Sequence, residues 1–157
     1  LWRTARLVAG KDLRVERRSR IVVNQVLPFA ALVMVLFAFA LDNDTVLQRT
    51  APGLVWLATI FSLLIVVQRS FALETADGAL DALRVAGVSP SGIFLGKSIA
   101  LAVQLLVLEV LLVVLAIVLY RSTLDGPGAV LLVTTLIPAT TGLAFVGTLY
   151  GGLAAGA

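Results

Sequence analysis

The most conspicuous side chain able to do chemistry is an acid inside an apolar run. Glu109 lies within the hydrophobic stretch of residues 93–120. A carboxyl group at that depth of a bilayer is costly, so Glu109 is a candidate for a proton path or a polar substrate surface. The structural alternative is that Glu109 keeps its proton and bonds to a neighbouring helix, through Gln104 or a threonine of the next apolar run. We favour this alternative, because no second intramembrane acid or base completes a relay.

Other chemistry is limited by the residues that the sequence lacks. The chain has no cysteine and no histidine. Disulfides, thiolate or imidazole metal sites, Ser-His-Asp triads and direct histidine ligation of haem are therefore excluded within it. It also carries no Walker A, dinucleotide-binding or metal-ligand spacing. We expect a chain that is not an enzyme, has no metal site and binds no cofactor firmly, and whose partners supply the chemistry.

Composition predicts an all-α integral membrane protein. Hydrophobic residues make up 60% of the chain and charged residues 13%. Several apolar runs exceed the roughly 18 residues that indicate a transmembrane helix, and they do not alternate as barrel strands do. The predicted spans are residues 21–41, 52–67, 93–120 and 129–150, in a single transmembrane domain that covers residues 1–157.

Proline, glycine and hydroxyl residues predict details of these spans. Pro28 should kink the first span or lie near its beginning. Pro52 and Gly53 are interpreted as the start of the second helix. The fourth span is rich in threonine and glycine, and this composition predicts close helix packing.

The first twenty residues combine an apolar face with many basic residues. Residues 1–20 are predicted to form an amphipathic interfacial helix, either a general membrane anchor or an elbow leading into the first span. The residues assigned to this membrane surface are Trp2, Arg3, Arg6, Arg14 and Arg17. Basic residues clustered before an apolar run mark the cytoplasmic side, so we expect no nucleic-acid partner. The stretch is also too long, and lacks the cleavage site, for a signal peptide, so we expect it to remain on the mature protein.

The polar interval at residues 68–97 separates the second and third spans. Asp77 is a plausible N-cap, and Gly87 followed by Pro90 supplies a stop, so a short amphipathic helix is predicted. This interval and the N-terminal stretch hold every Lys and Arg except Arg49 and Arg121. Both segments therefore face the cytoplasm in the predicted topology, which is that of a multi-pass membrane protein with a cytoplasmic N-terminus.

This organisation resembles an ABC-2 or exporter-type ABC permease, and particular residues narrow the resemblance to one family. The sequence is similar to the haem exporter protein B family, CcmB, the permease-like subunit of the bacterial cytochrome c maturation system. The residues that carry the likeness are Ala51-Pro52-Gly53, Trp56, Ala58, Phe61-Ser62-Leu63-Leu64, Arg69, Phe71, Asp77-Gly78, Leu80-Asp81, Leu83 and Lys97, with looser matches at Pro138, Gly142 and Gly147.

The resemblance implies a location in the bacterial inner membrane, partners and a docking element. A cytoplasmic ABC ATPase, which would bind ATP and Mg²⁺, is expected to dock on a coupling helix at residues 76–88. The coupling-helix residues carried over are Asp77, Gly78, Leu80, Asp81, Leu83 and Arg84, with Arg69 and Lys97 flanking it at the membrane surface. Further expected partners are haem-handling membrane subunits, a periplasmic haem chaperone and the lipid bilayer. Haem is expected to be handled by the complex.

Three features depart from the family pattern. Gln68 stands where the family usually has Glu, and Glu109 is not expected at its position. Four spans are present where six are expected, so roughly 60 further residues are missing for the last two. Haem contact through apolar faces or Tyr120 stays open, although we prefer an interfacial anchor as the role of Tyr120.

The expected function is coupling of ATP hydrolysis by a partner to haem handling, or to release of the haem-loaded chaperone. One alternative is the permease of another ABC-2-type exporter, for lipids or drugs. Another is a membrane scaffold that transports nothing.

Overall fold

The computed structural model describes residues 1–76, 78, 82, 85 and 87–155, without the side chains of residues 73–76. Its long helices are α1 (Trp2–Ser19), α2 (Leu27–Ala40, preceded by a π-helical segment at Val22–Val26), α3 (Asp44–Ala76), α4 (Pro90–Tyr120) and α5 (Gly126–Ala155). Among these described residues, four stretches are long and apolar enough to cross a membrane: Val22–Ala40, Asp44–Ala72, Pro90–Tyr120 and Gly126–Ala155. The predicted all-α membrane fold is confirmed.

The turn between α1 and α2 is fixed by Glu16. Arg20 adopts a left-handed backbone with φ 51°, and its amide donates to the carbonyl of Glu16. The carboxylate of Glu16 in turn accepts a hydrogen bond of 2.6 Å from the amide of Val22. The free amides at the start of a helix need such acceptors. One acidic residue therefore both ends α1 and caps the following helix.

Pro28 lies in the first turn of α2, directly after the π-helical segment. Proline cannot donate to the carbonyl four residues before it, and its ring crowds that group. A wider π-helical turn relieves this crowding, and the amide of Leu27 accordingly donates to the carbonyl of Val22, five residues back. The prediction that Pro28 lies near the beginning of its helix is confirmed.

The predicted helix start at Pro52 is wrong, because α3 begins at Asp44 and Pro52 lies inside it. The N-cap is Asn43, whose side-chain oxygen accepts hydrogen bonds from the amides of Thr45 at 3.0 Å and Val46 at 3.1 Å. Asn is among the strongest N-capping residues. The sequence Asp-Asn-Asp at residues 42–44 therefore ends one helix and starts the next, which leaves a tight antiparallel connection.

Helix α4 is the centre of the bundle and contacts α1, α2, α3 and α5. Its residues Leu105, Leu108 and Leu112 are fully buried. With 31 residues at about 1.5 Å each, α4 extends over about 46 Å, which is longer than the hydrocarbon core of a bilayer. Its first turns can therefore pack on α1 while the rest crosses the membrane.

Glycines allow two close helix contacts. A Cβ added at Gly96 of α4 would lie 2.7 Å from the carbonyl oxygen of Ala5 in α1, and one at Gly151 of α5 would lie 2.6 Å from the ring of Phe71 in α3. The close packing predicted for α5 is confirmed on its buried face: Thr140, Ala144, Thr148 and Gly151. It is wrong at Gly142, where a Cβ would meet nothing within 4 Å.

We predict that Gly96→Ala loosens α1 from α4. The new methyl group would meet a backbone carbonyl, which cannot move aside as a flexible side chain can, so we expect a loss of about 1–3 kcal/mol in unfolding free energy. Thermal unfolding in detergent measures the loss, and faster tryptic cleavage within α1 shows where it occurs. Gly142→Ala is the matched control, expected to be neutral or stabilising by up to about 1 kcal/mol. Equal stability of the two variants would contradict the close contact.

Candidate functional site

Lys97 is the centre of a buried polar cluster. Its side chain is 4% exposed, and its Nζ lies 3.5 Å from Oδ2 of Asp12 and 3.1 Å from Oγ of Ser70. The ammonium also lies 4.6 Å from the ring centroid of Phe71, in cation–π geometry. We call Lys97, Asp12, Ser70 and Phe71 the Lys97 cluster. It joins α1, α3 and α4, so Lys97 lies inside the protein, whereas the sequence predicted a flanking residue at the membrane surface.

Small residues bring α1 close enough for this cluster to form. Ala5 and Ala9 of α1 are buried, and a Cβ added at Gly92 would lie 2.8 Å from the side chain of Thr4. Sequence analysis missed Asp12 and Ser70. A signal was present for Asp12, because Asp12 and Glu16 are the only acids among the first twenty residues. Asp12 pairs with the ammonium of Lys97, and Glu16 accepts a hydrogen bond from the backbone amide of Val22.

The arginines of α1 point away from the bundle, as does Trp2, which is 67% exposed. Arg3, Arg6, Arg14 and Arg17 are all exposed. The apolar residues of α1 therefore serve two environments, since the buried Ala5 and Ala9 face the bundle and Trp2 does not. An exposed tryptophan beside arginines is the arrangement expected at a membrane–water interface.

Arg69, predicted to flank the coupling helix, is held by the π-helical segment. Its Nη1 donates a hydrogen bond of 2.9 Å to Oε1 of Gln25. Arg69 and the Lys97 cluster partner Ser70 are adjacent in α3, so this region of α3 is tied to both α2 and α4. The two predicted flanking residues therefore lie near one another, in different environments.

The connection between α3 and α4 is described at only a few positions. Gly78 and Gly87 have positive φ values of 61° and 69°, which favour glycine. Ala82 and Val85 are helical and exposed, Val85 to 89%, and the amide of Ala82 donates to the carbonyl of Gly78 at 3.1 Å. The other predicted coupling-helix residues, Asp77, Leu80, Asp81, Leu83 and Arg84, lie outside the described residues.

Glu109 forms a second buried polar contact, nearer the opposite end of α4. It is 1% exposed, and Oγ1 of Thr140 donates a 2.6 Å hydrogen bond to its Oε2. Glu109 thus joins α4 to α5. The predicted bond to a neighbouring helix is confirmed, with a threonine of the last span as partner and not Gln104.

Tyr120 makes a third contact of this kind. It is 2% exposed, and its hydroxyl donates a hydrogen bond of 2.8 Å to the carbonyl of Met34. The predicted interfacial anchor is wrong for this residue, because its ring is inside the bundle. Its position at the end of an apolar run could not distinguish an exposed from a buried ring. The hydroxyl serves to join α4 to α2.

A cavity of about 460 Å³ lies between α3, α4 and α5, towards the end of the bundle remote from α1. Its walls are mainly apolar and include Val55, Trp56, Ile117 and Leu132. The polar residues that line it are Gln48, Glu109, Ser122, Thr123 and Thr135. Among the residues that the structure describes, no group of three His, Cys, Asp or Glu side chains could hold a metal ion.

Comparison with known proteins shows the family to which this sequence belongs. The family model described as CcmB protein matches residues 3–157. The chain is 32% identical over 139 residues to Heme exporter protein B of Paracoccus denitrificans, an alignment that covers 87% of this chain and 62% of the relative. It is 29% identical over 152 residues to Heme exporter protein B of Rhodobacter capsulatus, covering 96% of this chain and 69% of the relative.

A third relative, Heme exporter protein B of Escherichia coli strain K12, is 31% identical over 100 residues, which are 63% of this chain and 44% of the relative. This chain therefore spans under two thirds of the length of the Paracoccus and Escherichia relatives. No solved structure matches it. Because the family model covers nearly all of its residues, this chain, a multi-pass membrane helix bundle, belongs to the CcmB family.

Proposed function

We propose that this chain is the permease-like membrane subunit of an ABC transporter complex in c-type cytochrome biogenesis. In that complex it couples ATP hydrolysis by a partner to haem handling, or to release of a haem-loaded periplasmic chaperone. The observation that carries the proposal is the family match over residues 3–157, together with relatives named Heme exporter protein B. The partner ATPase supplies the catalysis.

The distribution of charge supports an orientation for this subunit. The arginines of α1, Arg69 and Lys97 all lie at one end of the bundle, where α1 packs on the start of α4. Excess Lys and Arg face the cytoplasm in inner-membrane proteins. The α1 end and the α3–α4 connection therefore face the cytoplasm in our proposal, and the cavity lies towards the periplasmic half.

The α3–α4 connection is the proposed docking element for the ATPase. Val85 exposes 89% of its surface, although a valine gains nothing from contact with water. An exposed apolar residue in helical conformation suits a groove in a protein partner. The sequence pattern around it, from Asp77 and Gly78 through Leu80, Asp81, Leu83 and Arg84, supplies the rest of the proposed surface.

The Lys97 cluster is the proposed path from this docking element into the membrane helices. The connection leads into α4 at Pro90, and Gly92, Gly96 and Lys97 follow within two turns. A displacement of the connection would be passed to α1 through Asp12 and to α3 through Ser70. Coupling between sites requires a contiguous set of packed groups of this sort.

We predict that Val85→Asp weakens binding of the ATPase at least tenfold without unfolding the protein. The added charge would have to be desolvated in the docking groove, whereas an exposed position in the free subunit accepts it. The full-length protein is recovered from native membranes in mild detergent, and retained proteins are identified by mass spectrometry. Recovery of a Walker-type ATPase with haem-handling membrane subunits is expected for the unchanged protein.

Val46→Asp is the matched control, because Val46 is also exposed but lies in the first turn of α3, at the other end of the bundle. An acidic residue there is favoured by the helix dipole. We expect this variant to retain the ATPase. Equal retention by both variants, or an unchanged protein that recovers no ATPase, would contradict the proposed docking.

We predict that Lys97→Met uncouples the subunit while leaving the ATPase bound. The variant keeps the apolar stem but removes the buried ammonium that links Asp12 to α4, while Asp12 keeps its ion pair with Lys11 at 3.2 Å. We expect a cost of about 1–3 kcal/mol in unfolding free energy. ATP-dependent maturation of c-type cytochromes should fall severalfold while co-purification of the ATPase persists.

The double variant Lys97→Met/Asp12→Asn tests whether the charge pair is the cause. In the single variant Asp12 keeps Lys11 at 3.2 Å but faces the bundle without the ammonium of Lys97. An uncharged asparagine at position 12 needs no ammonium on that side, so the double variant should recover part of the lost thermal stability. Maturation should stay low, since the link between α1 and α4 is still missing. Full maturation in the single variant would argue against transmission through this cluster.

A further inference from the structure

The cavity between α3, α4 and α5 has the size and lining of a site for a small ligand. Its volume of about 460 Å³ falls in the range of roughly 300–1,000 Å³ that is usual for such sites. Most of its wall is apolar, contributed by residues such as Val55, Trp56, Val113 and Leu132. A few polar groups at defined positions in an apolar wall are what orients a ligand.

Two of these polar groups are buried, and they differ in their hydrogen bonding. Oγ of Ser122 is buried and has no hydrogen-bond partner among the described residues. Glu109 accepts from Thr140, but a carboxyl group offers about four lone-pair sites, so this bond leaves acceptor capacity. A buried polar group without a partner costs free energy that a ligand can recover.

The charge of the residues that line the cavity limits the class of ligand. Within the described part of the chain, Glu109 is the only ionisable side chain that lines the cavity, and the other polar groups there are hydroxyls, backbone and the amide of Gln48. No cation is present to neutralise an anionic ligand. A carboxylate ligand would meet the carboxyl of Glu109 in a low-dielectric wall, whereas an amine can donate hydrogen bonds to it.

We propose that this cavity is a binding site for a lipophilic amine, with the apolar body between Trp56 and Leu132 and the amino group bonded to Glu109. Glu109 is then both a link between helices and the counter-ion of the ligand, as intramembrane acids often are. The proposal goes beyond the coupling function, because it concerns the opposite half of the bundle and needs no ATPase. The cavity should bind an amine more tightly than an acid of the same shape.

The test uses three fluorescent probes that share one apolar body: 1-pyrenemethylamine, 1-pyrenemethanol and 1-pyrenecarboxylic acid. Purified full-length protein in detergent is titrated with each probe, and energy transfer from tryptophan to pyrene is measured against protein-free micelles. We expect the amine to bind at least tenfold more tightly than the acid, with the alcohol between them. Glu109→Gln, which keeps a hydrogen-bonding amide of similar shape, should abolish the preference for the amine.

A matched pair of threonines tests the location. Thr135 lines the cavity and Thr134, its neighbour, does not, yet both are exposed and bond to carbonyls of the preceding turn. Thr135→Trp should fill the cavity and weaken amine binding at least tenfold, while Thr134→Trp should leave it unchanged.

Three results would overturn the proposal: equal affinity for amine and acid, an amine preference that survives Glu109→Gln, or equal effects of the two threonine variants. Absence of binding by the full-length protein would also overturn it, because another part of a longer chain would then fill the space. None of these results depends on the ATPase. The coupling proposal could therefore fail while the amine-binding proposal holds, and the amine-binding proposal could fail while the coupling proposal holds.

Discussion

The buried ammonium of Lys97 is the interaction on which the arrangement of α1 depends. A charge removed from water costs several kcal/mol unless it is paired and hydrogen-bonded. Asp12 of α1 pairs with the ammonium of Lys97, and Ser70 of α3 accepts a hydrogen bond from it. The glycines at 92 and 96 permit the close approach that puts Asp12 within reach. The amphipathic helix is thus part of the bundle, and its arginines remain outside.

The same requirement recurs along α4, where three of the buried polar side chains bond to other helices at nearly regular spacing. Lys97, Glu109 and Tyr120 are separated by about 18 Å and about 16 Å along the helix. Lys97 bonds to α1 and α3, Glu109 to α5, and Tyr120 to α2. Between helices in lipid the hydrophobic effect contributes little, so packing of small residues and such hydrogen bonds hold the helices together. Each helix is therefore attached to α4 by at least one polar contact.

Much of this fold could be predicted from the sequence, because a long continuous apolar run crosses a bilayer as an α-helix. The number of spans and the bonding of Glu109 to a threonine of the last span followed from such reasoning. The burial of Lys97 did not, since its partner Asp12 is distant in sequence and a lysine before an apolar run normally lies at the interface. The prediction that Pro52 starts a helix was wrong, although a proline near an apolar boundary often does so. Asn43 is the stronger N-cap, and the helix begins there, before the apolar run.

Glu109 shows why a structural and a functional role need not exclude each other. One face of its carboxyl is satisfied by Thr140, and this bond fixes the carboxyl against rotation. The same residue lines a cavity whose wall is otherwise apolar. A fixed acid gives a ligand a defined partner at little entropic cost, which a mobile side chain would not. Because this group and the Lys97 cluster share the rigid helix α4, a movement that begins at the α3–α4 connection would reach the cavity through α4. Helix α3 also lines the cavity and ends at the same connection, so both helices can carry the movement.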